Sequence, residues 1–99
     1  MTMAKIRRAC CLAYGVSERE FQGLRRQREL AQARAAFCYW TRIKTGYSFP
    51  QIGRFMRRDH TTVMHNVQTY PDRVKRYGDP HAFDCMIAVN RDAIERIAA

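Results

Sequence analysis

The sequence predicts an all-α fold, a compact helical domain, and three observations carry that prediction. Apolar residues recur at three- and four-residue spacing through most of the chain. Helix starts and stops divide the pattern into short pieces: Ser17 and Ser48 stand three residues ahead of Glu20 and Gln51, and Gly15, Gly23, Gly46 and Gly78 follow periodic runs. No stretch alternates apolar and polar residues as a half-buried strand does. A chain of 99 residues supports a single core of modest size. A hydrophobic content of 46% argues against wholesale disorder.

The elements follow in order. Ile6, Ala9, Cys10, Ala13 and Tyr14 predict a helix from about Ala4 to Tyr14, stopped by Gly15. Ser17-Glu18-Arg19-Glu20 is a capping box opening a short helix towards Phe21, which Gly23 ends. Residues 23–28 form a basic connector. A long Ala-rich helix is expected over Glu29–Thr45, closed by Gly46, with Phe37, Tyr39 and Trp40 in the core. Ser48-Phe49-Pro50-Gln51 starts another short helix, reaching Phe55 or Met56. Arg57-Arg58 makes a turn and Asp59 caps the next helix, which Pro71 is expected to stop after Tyr70. Two short helices joined by a tight turn make a helix-turn-helix, with the usual turn glycine missing here. Asp72–Tyr77 can add a turn or two of helix before Gly78. Asp79-Pro80 then resembles a cap and first-turn proline. The last helix, Ala82–Ala98, carries Phe83, Met86, Ile87, Val89, Ala93, Ile94 and Ile97 at helical period, a stripe expected to pack on the domain or on a partner chain. The chain thus divides into a helix-turn-helix domain over residues 1–78 and a C-terminal helix over residues 79–99.

Charge narrows the function. The chain holds 18 Lys+Arg against 9 Asp+Glu, a net +9, and 15 of the cations are Arg. Clustered cations favour a polyanion through counterion release, and the planar guanidinium suits phosphates and guanine edges. Cys10, Cys11, Cys38 and Cys85 form no C-x-x-C pair and read as small core residues in a reducing cytosol. His60 and His65 lack a nearby Cys pair, so no metal or other cofactor is expected. No apolar run approaches the roughly 18 residues of a membrane span, and no signal-peptide pattern is visible, so a cytoplasmic, nucleoid-associated location is expected.

Three segments carry candidate chemistry. The connector contributes Arg25, Arg26, Gln27 and Arg28, on their own no more than a solvated charge run. The amino end of the helix at Ser48, Phe49 and Pro50 can receive a phosphate on free backbone amides. Arg57, Arg58, Asp59, His60, Thr61 and Thr62 cluster base-reading groups at the start of a helix, where helix-turn-helix proteins present them to the major groove. Asp59 serves equally as a plain cap. His65, one turn on, is a structural or phosphate-facing candidate rather than a metal ligand.

Tyr14-Gly15-Val16, Arg25-Arg26, Ala31 and Arg34, Ser48-Phe49-Pro50-Gln51-Ile52-Gly53 and Arg58-Asp59-His60-Thr61-Thr62-Val63-Met64-His65 together resemble the C-terminal DNA-binding domain, domain IV, of the bacterial replication initiator DnaA. The resemblance covers roughly residues 4 to 70. It implies a Trp-repressor-like helix-turn-helix that binds duplex DNA at short AT-containing boxes. Carried over by position, Arg26 reads the minor groove, while Asp59, His60, Thr61 and Thr62 face bases in the major groove. Gln27, Arg34, Phe49, Pro50 and Arg58 lie at or near phosphates. Two departures stand out. The family usually has two glycines before Arg-Asp-His, whereas Phe55-Met56-Arg57-Arg58 is one residue shorter and has neither, which bears on the turn geometry. Gln32-Ala33 replaces an Arg-Pro, and Ala35 replaces a polar residue.

No G-x-x-x-x-G-K-[ST] loop is present, so nucleotide binding and hydrolysis are not expected, and the chain resembles a stand-alone DNA-binding domain. Two functions follow: a sequence-specific duplex-DNA-binding regulator of replication initiation or transcription, or an adapter that binds the initiator or its regulators. An enzyme is not expected, because Asp59 and His60 are sequence neighbours without a nucleophile motif.

Overall fold

A computed structural model describes residues 2–91. Among them the chain forms α1 (Met3–Tyr14), α2 (Glu18–Gln22), α3 (Arg28–Lys44), α4 (Phe49–Met56), α5 (His60–Tyr77) and α6 (Ala82–Val89). The helix α3 is central: α1 and α5 pack on it, α6 lies along α1, and α4 lies against α5. The Ala33, Ala35, Ala36 and Cys38 side chains of α3 are buried and small, which lets its neighbours approach closely. Phe37 fills the space beside them, edge-on to Phe21 and stacked on Phe55. Ile6, Leu30, Ile52 and Val63 complete the core, each worth about 1.5–3 kcal/mol in buried apolar surface.

Local signals place the helix ends. Both capping boxes form: Ser17 with Glu20, and Ser48 with Gln51. Thr2 caps α1 and Asp59 caps α5 through the Thr61 amide. The end of α3 differs from the expectation, because Thr45 rather than Gly46 closes it. The Thr45 hydroxyl and amide both donate to the Thr41 carbonyl, at 2.6 and 3.0 Å.

Pro71 does not stop its helix. It lies inside α5, which runs on to Tyr77 and ends at Gly78. A helix-interior proline removes one hydrogen bond and crowds the preceding turn. Tertiary anchors on both sides outweigh that cost. Before it, Tyr70 is buried and its hydroxyl meets that of Tyr14 at 3.0 Å. After it, Val74 packs against the core, and the Arg73 guanidinium donates to Asn66 Oδ1 across the proline turn at 2.9 Å. The Tyr14 hydroxyl donates to Asp79 Oδ2, so its single hydrogen is committed and Tyr70 must donate to Tyr14. This chain ties α1, α5 and the turn before α6 together. Burial pushes both phenols well above their ordinary range; the bonds to Asp79 and Tyr70 add to this at Tyr14, whereas the bond to Tyr14 offsets part of it at Tyr70.

Asp79-Pro80 forms a turn ahead of α6 rather than its first turn: Asp79 accepts from the His81 and Ala82 amides, and the helix begins at Ala82. The apolar stripe of this helix faces outward more than expected. Cys85 and Val89 are buried against α1, with Cys85 Sγ 3.5 Å from Cys10 Sγ, whereas Phe83, Met86 and Ile87 are exposed. Small residues at the contact let two helices meet closely and leave the large side chains outside. Ala93, Ile94 and Ile97 lie outside the described residues. Tyr39 and Trp40 are half-buried at the core's edge. The four cysteines are free and buried, and burial pushes the Cys11 thiol up to about 11 and Cys38 up to about 12, as inert core residues require. No helix among the described residues is long and apolar enough to cross a membrane.

Candidate nucleic-acid interface

The amino end of α5 stands free of the core. Asp59, His60, Thr61 and Thr62 are all exposed, and His65 one turn later is exposed beside them. Residues three and four apart share a helix face, so Thr61, Thr62 and His65 form one outward strip, while Val63 and Tyr70 hold the opposite face in the core. Asp59 Oδ1 accepts from the Thr61 amide at 2.8 Å and from the Thr61 hydroxyl at 2.7 Å. Those two bonds hold the Asp59 carboxyl below its ordinary pKa, and His60 Nδ1 lies 3.5 Å from the same oxygen. The first turn of α5 is therefore set locally before any partner arrives.

The turn ahead of it is tight. Arg57 adopts a left-handed conformation at φ 59°, and the Arg58 amide reaches back to the Gly53 carbonyl at 2.9 Å. The bare Cα of Gly53 faces Arg58: a Cβ there would sit 2.6 Å from the Arg58 carbonyl oxygen. Gly53, four residues before Arg57, supplies the glycine that this turn needs.

The basic loop, residues 24–27, runs beside this turn. Leu24, Arg25, Arg26, Gln27 and Arg28 are exposed; Arg25 lies 3.9 Å from Glu20, and Gln27 precedes α3 without a side-chain cap. Arg34 is turned inward. Its guanidinium donates to the carbonyls of Phe21, Arg25, Glu20 and Gly23, between 2.9 and 3.1 Å, which uses four of its five N–H groups. Burial, and then the charge of Arg58, lower its pKa from the ordinary value. Arg58 is also turned back: its guanidinium donates to the carbonyl of Gly23 at 2.6 Å and to those of Met56 and Arg57 at 3.3 and 3.2 Å.

At α4 the capping box commits the Gln51 amide to Ser48 and the Ser48 amide to Gln51, and Pro50 has no N–H. That narrows what this helix end can offer a phosphate to the Phe49 amide. Arg42, which the sequence did not single out, lies at this end. Its guanidinium stacks 4.4 Å over the Phe49 ring and donates to the Tyr47 carbonyl. Only the meeting of α3's end with α4's start brings it there, so no local pattern marks it. Among the described residues no group of His, Cys, Asp and Glu is placed to hold a metal ion.

Residues 3–69 match the family model described as the bacterial dnaA protein helix-turn-helix. The chain belongs to that family. Chromosomal replication initiator proteins DnaA are its relatives: that of Sphingopyxis alaskensis is 39% identical over 70 residues, which are 70% of this chain and 16% of that protein. That of Agrobacterium fabrum is 40% identical over 70 residues, 70% of this chain and 14% of that protein. That of Deinococcus radiodurans is 33% identical over 72 residues, 73% of this chain and 16% of that protein. The chain therefore spans between about a seventh and a sixth of the length of the relatives it matches. The DnaA helix-turn-helix match takes in α1 to α4, the basic loop and most of α5, and it ends just before Tyr70-Pro71. The helix α6, with its exposed Phe83 and Met86, lies beyond it.

Proposed function

We propose that this chain binds double-stranded DNA sequence-specifically. The exposed first turn of α5 enters the major groove and Arg25 and Arg26 of the basic loop approach the adjacent minor groove. One observation carries the reading: Arg58, the residue immediately before the α5 cap, is hydrogen-bonded to Gly23, the residue immediately before the loop. The exposed first turn of α5 and the exposed cations of the loop thus sit side by side, on a chain of net charge +9. Family membership supports DnaA-box-like target sites and a role in replication initiation or its regulation. Contacts from Arg57, His65, Gln27, Arg28 and the Phe49 amide complete the proposed footprint.

Selection of bound duplexes from a random pool at two salt concentrations tests this. A recovered consensus is expected, with affinity falling steeply as salt rises. Replacing Thr61 and Thr62 by Ala is expected to cost on the order of 1–3 kcal/mol per base contact on the selected duplex and little on a scrambled one. A pool that yields no consensus, with wild type indifferent to sequence, sinks the sequence-specific claim.

A second reading is an adapter that binds the initiator or one of its regulators. The exposed Phe83, Met86 and Ile87 on α6 favour it. A chain that captures the initiator through α6 while binding no duplex would favour this reading over the first.

A further inference from the structure

We propose that Arg58 and Arg34 are positioning residues, and not phosphate contacts, that lock the basic loop onto the helix-turn-helix turn through the shared carbonyl of Gly23. The inference rests on the DNA-binding reading above and deepens it, because it says how two separate reading elements keep one relative position.

The geometry is specific. The Gly23 carbonyl accepts from Arg58 Nη2 at 2.6 Å and from Arg34 Nη2 at 3.1 Å. Arg58 spans from this carbonyl to those of Met56 and Arg57, which close α4. Arg34 spans from it to Arg25 in the middle of the loop and to Glu20 and Phe21 in α2. The carbonyls at a helix's end lack partners within the helix. Here two cations supply those partners, for α2 and for α4, and meet on one oxygen. Two like charges at a shared acceptor repel, so the arrangement holds only while each guanidinium keeps its several carbonyls. An ammonium group cannot do this: it has three donors on a point and no planar fork. The loop itself shows little closure of its own: the Gln27 side chain makes no cap bond, and Leu24 is 89% exposed. Its conformation is held from outside.

A cation turned towards its own backbone and one turned towards a phosphate make opposite predictions for the same substitution. Arg58→Lys keeps the charge and removes the fork. Arg58→Ala removes both, and Arg34→Lys provides an independent variant on the other side of Gly23. Each full chain is titrated with the tightest duplex selected by wild type and with a scrambled duplex, across a salt series. The order parameters of the residue 24–27 amides are measured in the free protein. Arg58→Lys and Arg34→Lys are each expected to reduce the ratio of specific to scrambled affinity about 10-fold, the scale of one charged hydrogen bond, with an unchanged salt slope. The loop order parameters should fall from about 0.85 towards 0.6 or below. The proposal is overturned if Arg58→Lys binds and moves like wild type while Arg58→Ala weakens both duplexes alike and lowers the salt slope by about 0.9, the signature of one lost phosphate contact. If wild type binds no duplex, the functional reading fails on its own. The order parameters then decide the lock: a loop as rigid in both Lys variants as in wild type overturns it. Should Arg58→Lys fail to fold, Arg34→Lys carries both measurements.

Discussion

Two helices of this molecule end with the same hydrogen bonds and different residues. After α1, the Gly15 amide bonds to the Leu12 carbonyl at 3.4 Å and the Val16 amide to that of Cys11 at 3.0 Å. After α4, the Arg57 amide bonds to Arg54 at 3.3 Å and the Arg58 amide to Gly53 at 2.9 Å. Both are Schellman closures, and both force the first residue past the helix into the left-handed region, at φ 69° for Gly15 and 59° for Arg57. At the first, glycine takes that conformation freely. At the second, an L side chain takes it at a cost of about 1–2 kcal/mol and places a cation beside the proposed reading end. The comparison teaches that the pattern of carbonyl closure, not the residue at the bend, sets the turn. In the helix-turn-helix, glycine is needed four residues earlier, where the backbone of the next helix comes closest.

Gly53→Ala puts that lesson under the heaviest load. The new Cβ would lie 2.6 Å from one backbone atom, Arg58 O, and 3.4 Å from another, His60 N, and neither can swing aside as a side chain can. A loss of about 3 kcal/mol is expected from the forced backbone shift. On a domain of this size it corresponds to a fall in Tm of roughly 10–20 °C. Urea unfolding of the variant beside wild type measures it. A variant as stable as wild type would mean that α4 and α5 do not approach this closely, and the account of the turn would break.

Gly15→Ala and Arg57→Gly sharpen the comparison from its two sides. Nothing lies within 4 Å of a Cβ at Gly15, so the cost of Gly15→Ala is conformational alone, about 1 kcal/mol of destabilisation. Arg57→Gly releases the same strain and gives back some unfolded-chain entropy, for a net gain of about 0.5 kcal/mol. Because Arg57 is exposed, the exchange should also weaken binding to scrambled duplexes. Opposite signs in the two melts are expected. Destabilisation by Arg57→Gly would show that the Arg57 side chain makes a contribution larger than its backbone strain.

The same contrast explains what the sequence could disclose. Ser17 with Glu20, Ser48 with Gln51, Asp59 before His60 and Gly15 after Tyr14 are local signals, because each acts within three or four residues of itself. They gave the helix starts, the turn and the amino end of α5, which is exposed. Pro71 misled because the local cost of a proline is visible in sequence, whereas the anchors of Tyr70 and Val74 on distant helices are not. The face that α6 buries was hidden for the same reason, since it depends on Cys10 of α1 offering a small surface. Arg34 and Arg58 show the limit at the site. A guanidinium aimed at a phosphate and one aimed at the chain's own carbonyls have the same letter and comparable spacing. Only the position of Gly23 between them tells the two apart.

The amino end of α5 offers the finest test of local closure, because there the closing group titrates. The Asp59 carboxylate is held below its ordinary pKa first by the Thr61 hydroxyl, then by the Thr61 amide, with a smaller pull from His60. A depressed carboxyl pKa contributes stability that is present above the unfolded-state value, about 3.9, and is lost as pH falls through the folded value. The cap should therefore be intact at neutral pH and open only in acid below about 3.9. The Thr61 amide shift, followed by NMR through an acid titration, reads this one bond, and its midpoint is expected below that of an Asp in an unstructured peptide. Asp59→Asn keeps an acceptor for the amide and removes the titration, so its Thr61 shift should stay flat over the same range. The effect on global stability is the smallest of those above, since Asp59 is exposed and water screens its charge. A Thr61 midpoint at or above the peptide value would show that the carboxylate does not hold the turn. The end of α5 would then need a partner to order it, as the end of α4 does not.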